Sequence, residues 1–240
     1  MNYLLSFIII SFSILLHEAG HLISGKLARV PMSQFSIGFG PALFSRSWQG
    51  TRYKFSILPV GGYVLPQIEN ENDFFAIPVW RRLFFTIGGP VFNLLFAYGL
   101  FLLINIHVEK TTAIQALLLS ARQMLIVISS IFTAFSQLFH NPEHLSGIVG
   151  AVSSGGQYIH GNWIHALSFA ALLNINLAIF NLLPIPPLDG GKIITYLLEC
   201  IDQRLVKIQI PLSIAGWAIL LLLMVFATYQ DIISLLGSGT

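Results

Sequence analysis

The chain has 240 residues, of which 55% are hydrophobic and 9% are charged, and its formal net charge is +2. Soluble domains average about 25% charged residues, so this composition excludes an ordinary soluble domain and predicts a polytopic α-helical membrane protein. The small net charge gives no reason to expect a nucleic-acid partner, and the single cysteine, Cys200, excludes an internal disulfide or a cysteine-based metal site.

The first predicted span, about residues 4–27, carries the sequence His17-Glu18-Ala19-Gly20-His21 inside an apolar run. Ionisable groups within a membrane span are costly and usually functional. Residues i and i+4 of a helix lie on one face, so the two imidazoles can bind one zinc ion, with Glu18 as general base. A cleaved signal peptide is the alternative for residues 1–16, but these residues contain no basic n-region and no small-residue cleavage site.

A small membrane-associated β-sheet is predicted for residues 31–66. Polar and apolar residues alternate over 52–57, and Gln49-Gly50 suits a tight turn before them. Gly61 and Gly62 let another backbone approach closely, so this region offers an edge to which an unwound peptide can add as a strand near Ile57. The alternative is an exposed hairpin with no role in binding.

The second span is predicted at about 83–106, and the segment that follows it, 113–139, is ambiguous. It is long enough to span, yet polar residues recur every seven positions: Gln115, Arg122, Ser129 and Ser136. One polar face favours an amphipathic helix in the outer membrane interface. If this segment spanned instead, Asp189 would emerge on the side of the membrane away from His17 and His21.

The third and fourth spans are predicted at about 166–183 and 211–229, and the break between them supplies a third metal ligand. Catalytic zinc usually takes three protein ligands, and the acidic candidates are Asp189, Glu199 and Asp202. Asp189 follows three prolines and precedes two glycines, and irregular backbone at membrane depth survives only beside protein or a wet cavity. This context favours Asp189; the alternative is an ordinary helix cap in water.

Two other histidine pairs, His140 with His144 and His160 with His165, are expected to be solvated or interfacial. Lysine and arginine concentrate between the first and second spans and between the third and fourth. The positive-inside rule places those two segments in the cytoplasm. Both chain ends are then outside, and the site lies toward the cytoplasmic side.

The motif His17-Glu18-x-x-His21, together with Asn181-x-x-Pro-x-Pro-x-Leu-Asp189-Gly190, resembles the site-2 proteases, which are intramembrane zinc endopeptidases. Further segments are similar to the RseP-like bacterial branch of that family, among them Gly38-Phe39-Gly40, the stretch 59–64 and the stretch 88–93. The chain differs from that branch because residues 107–112 leave no room for its PDZ domains of about 100 residues. The absence is either natural or engineered.

The resemblance implies one intramembrane metalloprotease domain over residues 1–240, with one zinc ion held by His17, His21 and Asp189. It also implies substrate contacts by Asn181 and, more weakly, by Asn93. The expected substrates are transmembrane segments of single-span proteins in the bacterial cytoplasmic membrane, such as anti-sigma factors after a first cut, or remnant signal peptides.

Two other classes of function compete with the protease. One is a non-catalytic pseudoprotease or chaperone that binds transmembrane helices, against which the complete set His17, Glu18, His21 and Asp189 argues. The other is a transporter that couples protons through Glu18 and Asp189, but the sequence lacks the paired half-helix repeats expected there.

Overall fold

The computed structural model of the protein describes residues 2–67, 76–138, 148–202 and 209–237. The elements in these ranges are α1 (Asn2–Leu27), β1 (Met32–Trp48), β2 (Thr51–Pro66), α2 (Val79–His107), α3 (Ala113–Leu138), α4 (Ile148–Ile159), α5 (Trp163–Asn181), α6 (Asp189–Glu199) and α7 (Gln209–Gly237). The residues outside these ranges include His140, His144 and the stretch 68–75 after β2.

The helices and strands belong to two compact units. The first unit comprises Met1–Ile10, Leu95–Asn176 and Ala215–Thr240, and the second comprises Ser11–Leu94 and Leu177–Ile214. Every predicted site residue lies in the second unit.

Five of the described helices are long and apolar enough to cross a membrane: Asn2–Leu27, Val79–His107, Ala113–Ala134, Trp163–Asn181 and Pro211–Gln230. The count of four spans is therefore not supported. The additional helix is α3, the segment predicted to be interfacial. Its polar residues are mostly uncharged, with Arg122 alone carrying a charge in 113–134, so length and composition do not exclude a span.

In the second unit, a buried cluster fixes the sheet and α2 to the end of α1. Its members are Leu22, Ala28, Val30, Met32, Phe35 and Phe85. The chain leaves α1 through Arg29, whose φ of 56° is left-handed, and the amide of Val30 donates to the carbonyl of Gly25. This turn directs residue 32 into the first strand.

The two long strands pair antiparallel and join through Gln49 and Gly50, which both have positive φ, as a tight hairpin turn requires. The register shifts several times along the pair. Gln34 lies opposite both Leu65 and Arg52, so the start of β1 pairs with both halves of β2. Bending of the strands therefore makes a small sheet from only two strands, and it brings Gly62 to α1.

Candidate metal centre and active site

Three ligand atoms from two helices meet at one point in the second unit. The Nε2 atoms of His17 and His21 lie 3.1 Å apart, and each lies 3.1 Å from Oδ2 of Asp189. All three residues are buried, with exposed fractions of 7%, 7% and 4%. Among the described residues, this is the one group of three or more His, Cys, Asp or Glu side chains close enough to share a metal ion.

The triangle fits a tetrahedral ion. Zinc holds histidine nitrogen and carboxylate oxygen at about 2.0–2.2 Å, which in a tetrahedron places neighbouring ligand atoms about 3.3–3.5 Å apart. The observed separations of 3.1 Å need only a small expansion. Two imidazoles and one carboxylate are also a ligand set found in catalytic zinc sites that keep one position open. The site is therefore consistent with one zinc ion.

Helix α2 lies against the two imidazoles. Nδ1 of His21 lies 3.0 Å from the carbonyl oxygen of Phe85, and a nitrogen–hydrogen group there can donate to that carbonyl. A Cβ atom added at Gly89 would lie 2.5 Å from Nε2 of His21 and 2.7 Å from Nε2 of His17. Only glycine at position 89 leaves room for both rings.

Asp189 reaches the histidines because the chain between α5 and α6 turns back on itself. Leu188 occupies the N-cap position and Asp189 is the first residue of α6, so the carboxylate does not cap the helix. A Cβ at Gly190 would clash with the carbonyl oxygens of Leu182 and Leu183, so the tight return of the chain requires glycine there. Nζ of Lys192 donates to Oδ1 of Asp189 at 3.1 Å, which leaves Oδ2 facing the histidines.

The far end of α6 is fixed to the start of α2 by a buried ion pair. The guanidinium of Arg82 donates to both oxygens of Glu199, at 2.7 and 2.6 Å, and its Nε donates to the carbonyl of Ile77. The guanidinium also lies over the ring of Tyr196, at 4.9 Å. Burial raises the pKa of Tyr196 to about 12, so its hydroxyl stays protonated. Glu199 therefore holds α6 in place and is not a metal ligand.

Comparison with known proteins identifies the family. The model of peptidase family M50 matches residues 5–225 of the chain. The chain belongs to peptidase family M50. The match covers more than half of the sequence, and it confirms the resemblance to site-2 proteases that the two motifs indicate.

Three relatives of this M50 member carry names that describe predicted zinc metalloproteases. The Campylobacter jejuni protein is 26% identical over 348 positions, covering 99% of this chain and 95% of the relative. The Fusobacterium nucleatum protein is 26% identical over 335 positions, covering 97% and 98%. The Thermotoga maritima protein is 36% identical over 110 residues, covering 42% of this chain and 22% of the relative.

The first two alignments also show what this M50 member lacks. Their lengths of 348 and 335 positions exceed its 240 residues by 108 and 95. Both relatives therefore contain at least that many residues with no counterpart here. The shorter chain is consistent with the absence of a PDZ domain.

Glu18, the predicted base, lies beside the ligands and faces the sheet. A Cβ at Gly62 would lie 3.3 Å from Cγ of Glu18, so the strand passes directly over this side chain. Neighbouring Gly61 has a φ of 106°, a left-handed conformation that favours glycine. Ile57 is 50% exposed and lies in β2 between Ser56, opposite Ala42, and Leu58, opposite Phe39.

The two predicted asparagines lie in different settings. Asn93 is fully buried on α2, and its Nδ2 lies 3.3 Å from Nδ1 of His17. Asn181 ends α5, and its Nδ2 donates to the carbonyl of Leu177 in its own helix. His160 and His165 belong to the first unit and contribute to no metal cluster among the described residues.

Four residues that support this M50 site were not predicted from the sequence: Phe85, Gly89, Lys192 and Arg82. Phe85 acts through its main-chain carbonyl, which no side-chain pattern reveals. Gly89 lies next to Gly88 and Pro90, and this glycine pair within an apolar helix is a signal of a close approach. Lys192 follows Asp189 by three residues, the spacing of neighbours on one helix face.

Proposed function

We propose that this chain is an intramembrane zinc endopeptidase that cleaves transmembrane segments of single-span proteins in the bacterial cytoplasmic membrane. The observation that carries the proposal is the triangle of His17, His21 and Asp189. Two of its members lie on α1, an apolar helix long enough to cross a membrane. A buried metal site on such a helix, in a member of peptidase family M50, is expected to act on peptides within the bilayer.

The chemistry follows from the side chains around the triangle. A zinc ion bound there supplies a Lewis acid that polarises the scissile carbonyl and makes water a better nucleophile near neutral pH. Glu18 accepts the proton of the attacking water and transfers it to the leaving amine nitrogen. Lys192 keeps Asp189 oriented through Oδ1, and Asn181 is assigned to the substrate backbone, where it can stabilise the developing oxyanion after leaving its bond to Leu177.

The sheet beside Glu18 supports a route for holding the substrate. A transmembrane helix hides its amides in internal hydrogen bonds and must unwind before attack. Residues 62–65 pair with β1 along one side, and no described segment pairs along the other. Because Gly62 packs on Glu18, an unwound segment that adds to this edge would be held next to the base.

Substrates with helix-breaking residues near the cut should therefore be preferred. Replacing one such Gly or Pro by Leu in a single-span substrate makes unwinding harder by about 1–3 kcal/mol, so we expect cleavage to slow by about 5- to 150-fold. The rate is measured by gel analysis of the purified enzyme and substrate in detergent. The same replacement outside the unwound segment is the control, and equal slowing at both places would contradict local unwinding.

The helix α3 is proposed to lie in the outer interface. Within the first unit, Tyr98 of α2 donates to the carbonyl of Leu117, and Asn105 donates to Ser120 and Gln123. A residue further along α2 therefore contacts a residue further along α3. In two antiparallel spans joined by a short loop, a residue further along the first helix would contact a residue nearer the start of the second. This order of contacts favours two helices that cross over an antiparallel pair of spans. With α3 in the interface the chain would have four spans, and the positive-inside rule would then place both termini outside and the site toward the cytoplasm.

Regulated intramembrane proteolysis is the biological setting that we propose, with anti-sigma factors trimmed outside the membrane or remnant signal peptides as substrates. A pseudoprotease that only binds transmembrane helices is the competing function, and the complete ligand set beside Glu18 argues against it.

Metal removal tests the proposal. The chain purified in detergent should contain about one zinc ion, should cleave a single-span peptide, should lose activity with a zinc chelator and should regain it with added zinc. Metal content is measured by elemental analysis and cleavage by mass spectrometry of the products. Zinc-loaded protein that binds the peptide without cutting it would instead identify a pseudoprotease, and a chain without zinc would contradict the metal site.

A further inference from the structure

Three residues spaced four apart on α2 form one face toward the two ligand imidazoles. The carbonyl oxygen of Phe85 lies 3.0 Å from Nδ1 of His21. Gly89 packs closely against both imidazole rings. The amide nitrogen of Asn93 lies 3.3 Å from Nδ1 of His17. The Nδ1 atoms are the ring nitrogens that do not face Asp189. Each imidazole thus has one nitrogen toward the metal triangle and one toward α2.

Asn93 has an unusual hydrogen-bond state. It is 0% exposed, and nothing among the described residues hydrogen-bonds to its Oδ1. Its Nδ2 is the atom nearest to His17. A buried polar atom without a partner costs about 1–3 kcal/mol, so such atoms are rare and need a physical reason.

The chemistry of a metal-bound imidazole supplies that reason. A neutral imidazole carries one proton, so a ring that offers the lone pair of Nε2 to a metal carries its proton on Nδ1. Nδ1 of His17 must then donate, and Nδ2 of Asn93 is also a donor. A rotation of the Asn93 amide by 180° exchanges its oxygen and nitrogen, which turns a contact between two donors into a hydrogen bond.

We propose that Asn93 is a positioning residue of the metal centre, whose Oδ1 accepts the Nδ1 proton of His17 and thereby fixes the tautomer that presents Nε2. The carbonyl of Phe85 does the same for His21. This role is distinct from substrate contact, and it rests on the proposed zinc site. Partners of this kind orient a metal-binding histidine and raise its basicity.

Substitution of Asn93 separates the two roles. Leucine at position 93 branches at Cγ as asparagine does but has no acceptor, so zinc affinity should fall by about 10- to 100-fold. Asn93→Asp keeps an acceptor oxygen and should bind zinc at least as tightly as the wild type does. Affinity is measured by competition with a chromophoric chelator, and the visible spectrum of the cobalt-substituted protein reports the ligand geometry.

Asn105→Leu is the matched control. Asn105 lies on the same helix and is 1% exposed, but its amide donates to Ser120 and Gln123. Its replacement should leave zinc affinity and the cobalt spectrum unchanged. Asn93→Ser, whose hydroxyl is too short to reach His17, replaces the leucine variant if that variant does not purify as folded protein.

The positioning role and the substrate-contact role of Asn93 predict different results. Unchanged zinc affinity in Asn93→Leu, with a raised KM for the peptide, would overturn the positioning role and indicate substrate contact. Equal weakening by Asp and Leu would also overturn it, because the acceptor oxygen would not matter. A wild-type chain that binds no zinc would defeat the proposed function itself, which is a different outcome from either of these.

Discussion

Replacement of Glu18 by glutamine is expected to lower kcat for peptide hydrolysis by about 10²- to 10⁴-fold, the usual contribution of general acid–base catalysis. Glutamine has nearly the same shape as glutamate but cannot accept the proton of the attacking water. Glu18 is not one of the three ligand residues of the triangle, so the zinc content should remain at the wild-type level. Single-turnover cleavage of a single-span peptide in detergent, with zinc measured on the same sample, gives both quantities.

The control is the same chemical change at Glu109→Gln, an exposed glutamate just beyond α2. That variant should cleave at the wild-type rate. If Glu18→Gln retains full zinc and cuts as fast as the wild type does, Glu18 is not the base. If it loses zinc, the side chain acts on the metal site, and the separation between ligands and base proposed here is wrong.

The three residues of the candidate metal site could be predicted to lie together because each leaves a local signal in the sequence. The spacing of His17 and His21 places both rings on one helix face, and three prolines before Asp189 mark a break at membrane depth. The structure brings these segments together although they are 172 residues apart along the chain. An ionisable group in an apolar run needs a partner, and this requirement can be recognised from the sequence alone.

The supporting contacts could not be predicted in the same way. The ion pair of Arg82 with Glu199 joins residues 117 positions apart, and either residue alone is consistent with an exposed charge near a membrane surface. The acceptor for His21 is a main-chain carbonyl, which every residue of α2 possesses. Such contacts depend on how two helices are rotated against each other, and short-range patterns do not determine that rotation.

The ambiguity of α3 has a different origin. Its serines, threonines and glutamines can bond to carbonyls of their own helix, as Ser120, Ser130 and Thr133 do, so a polar stripe carries little cost in either setting. Composition therefore permits a span, while the crossing with α2 supports an interfacial helix. The contacts that favour an interfacial helix depend on how α2 and α3 pack, which the sequence does not show.

Replacement of Gly89 by alanine is expected to weaken zinc binding by about 100-fold or more, with a parallel loss of cleavage. The added Cβ would stand 2.5 Å from Nε2 of His21 and 2.7 Å from Nε2 of His17, so both rings must move by several tenths of an ångström. Metal–ligand distances tolerate only about 0.2 Å. Zinc is measured by chelator competition, and cleavage is measured on the same preparation.

The matched control Gly99→Ala tests whether the expected loss comes from the contact between position 89 and the two histidine rings. Gly99 lies on the same helix, but a Cβ there meets nothing within 4 Å. Alanine is favoured over glycine inside a helix by about 0.5–1 kcal/mol, so this variant should unfold at the same temperature as the wild type or a higher one, with zinc unchanged. If Gly89→Ala binds zinc as the wild type does, α2 does not set the positions of the rings. A positioning role for Asn93 would then be excluded as well, because Gly89 and Asn93 lie on the same helix face.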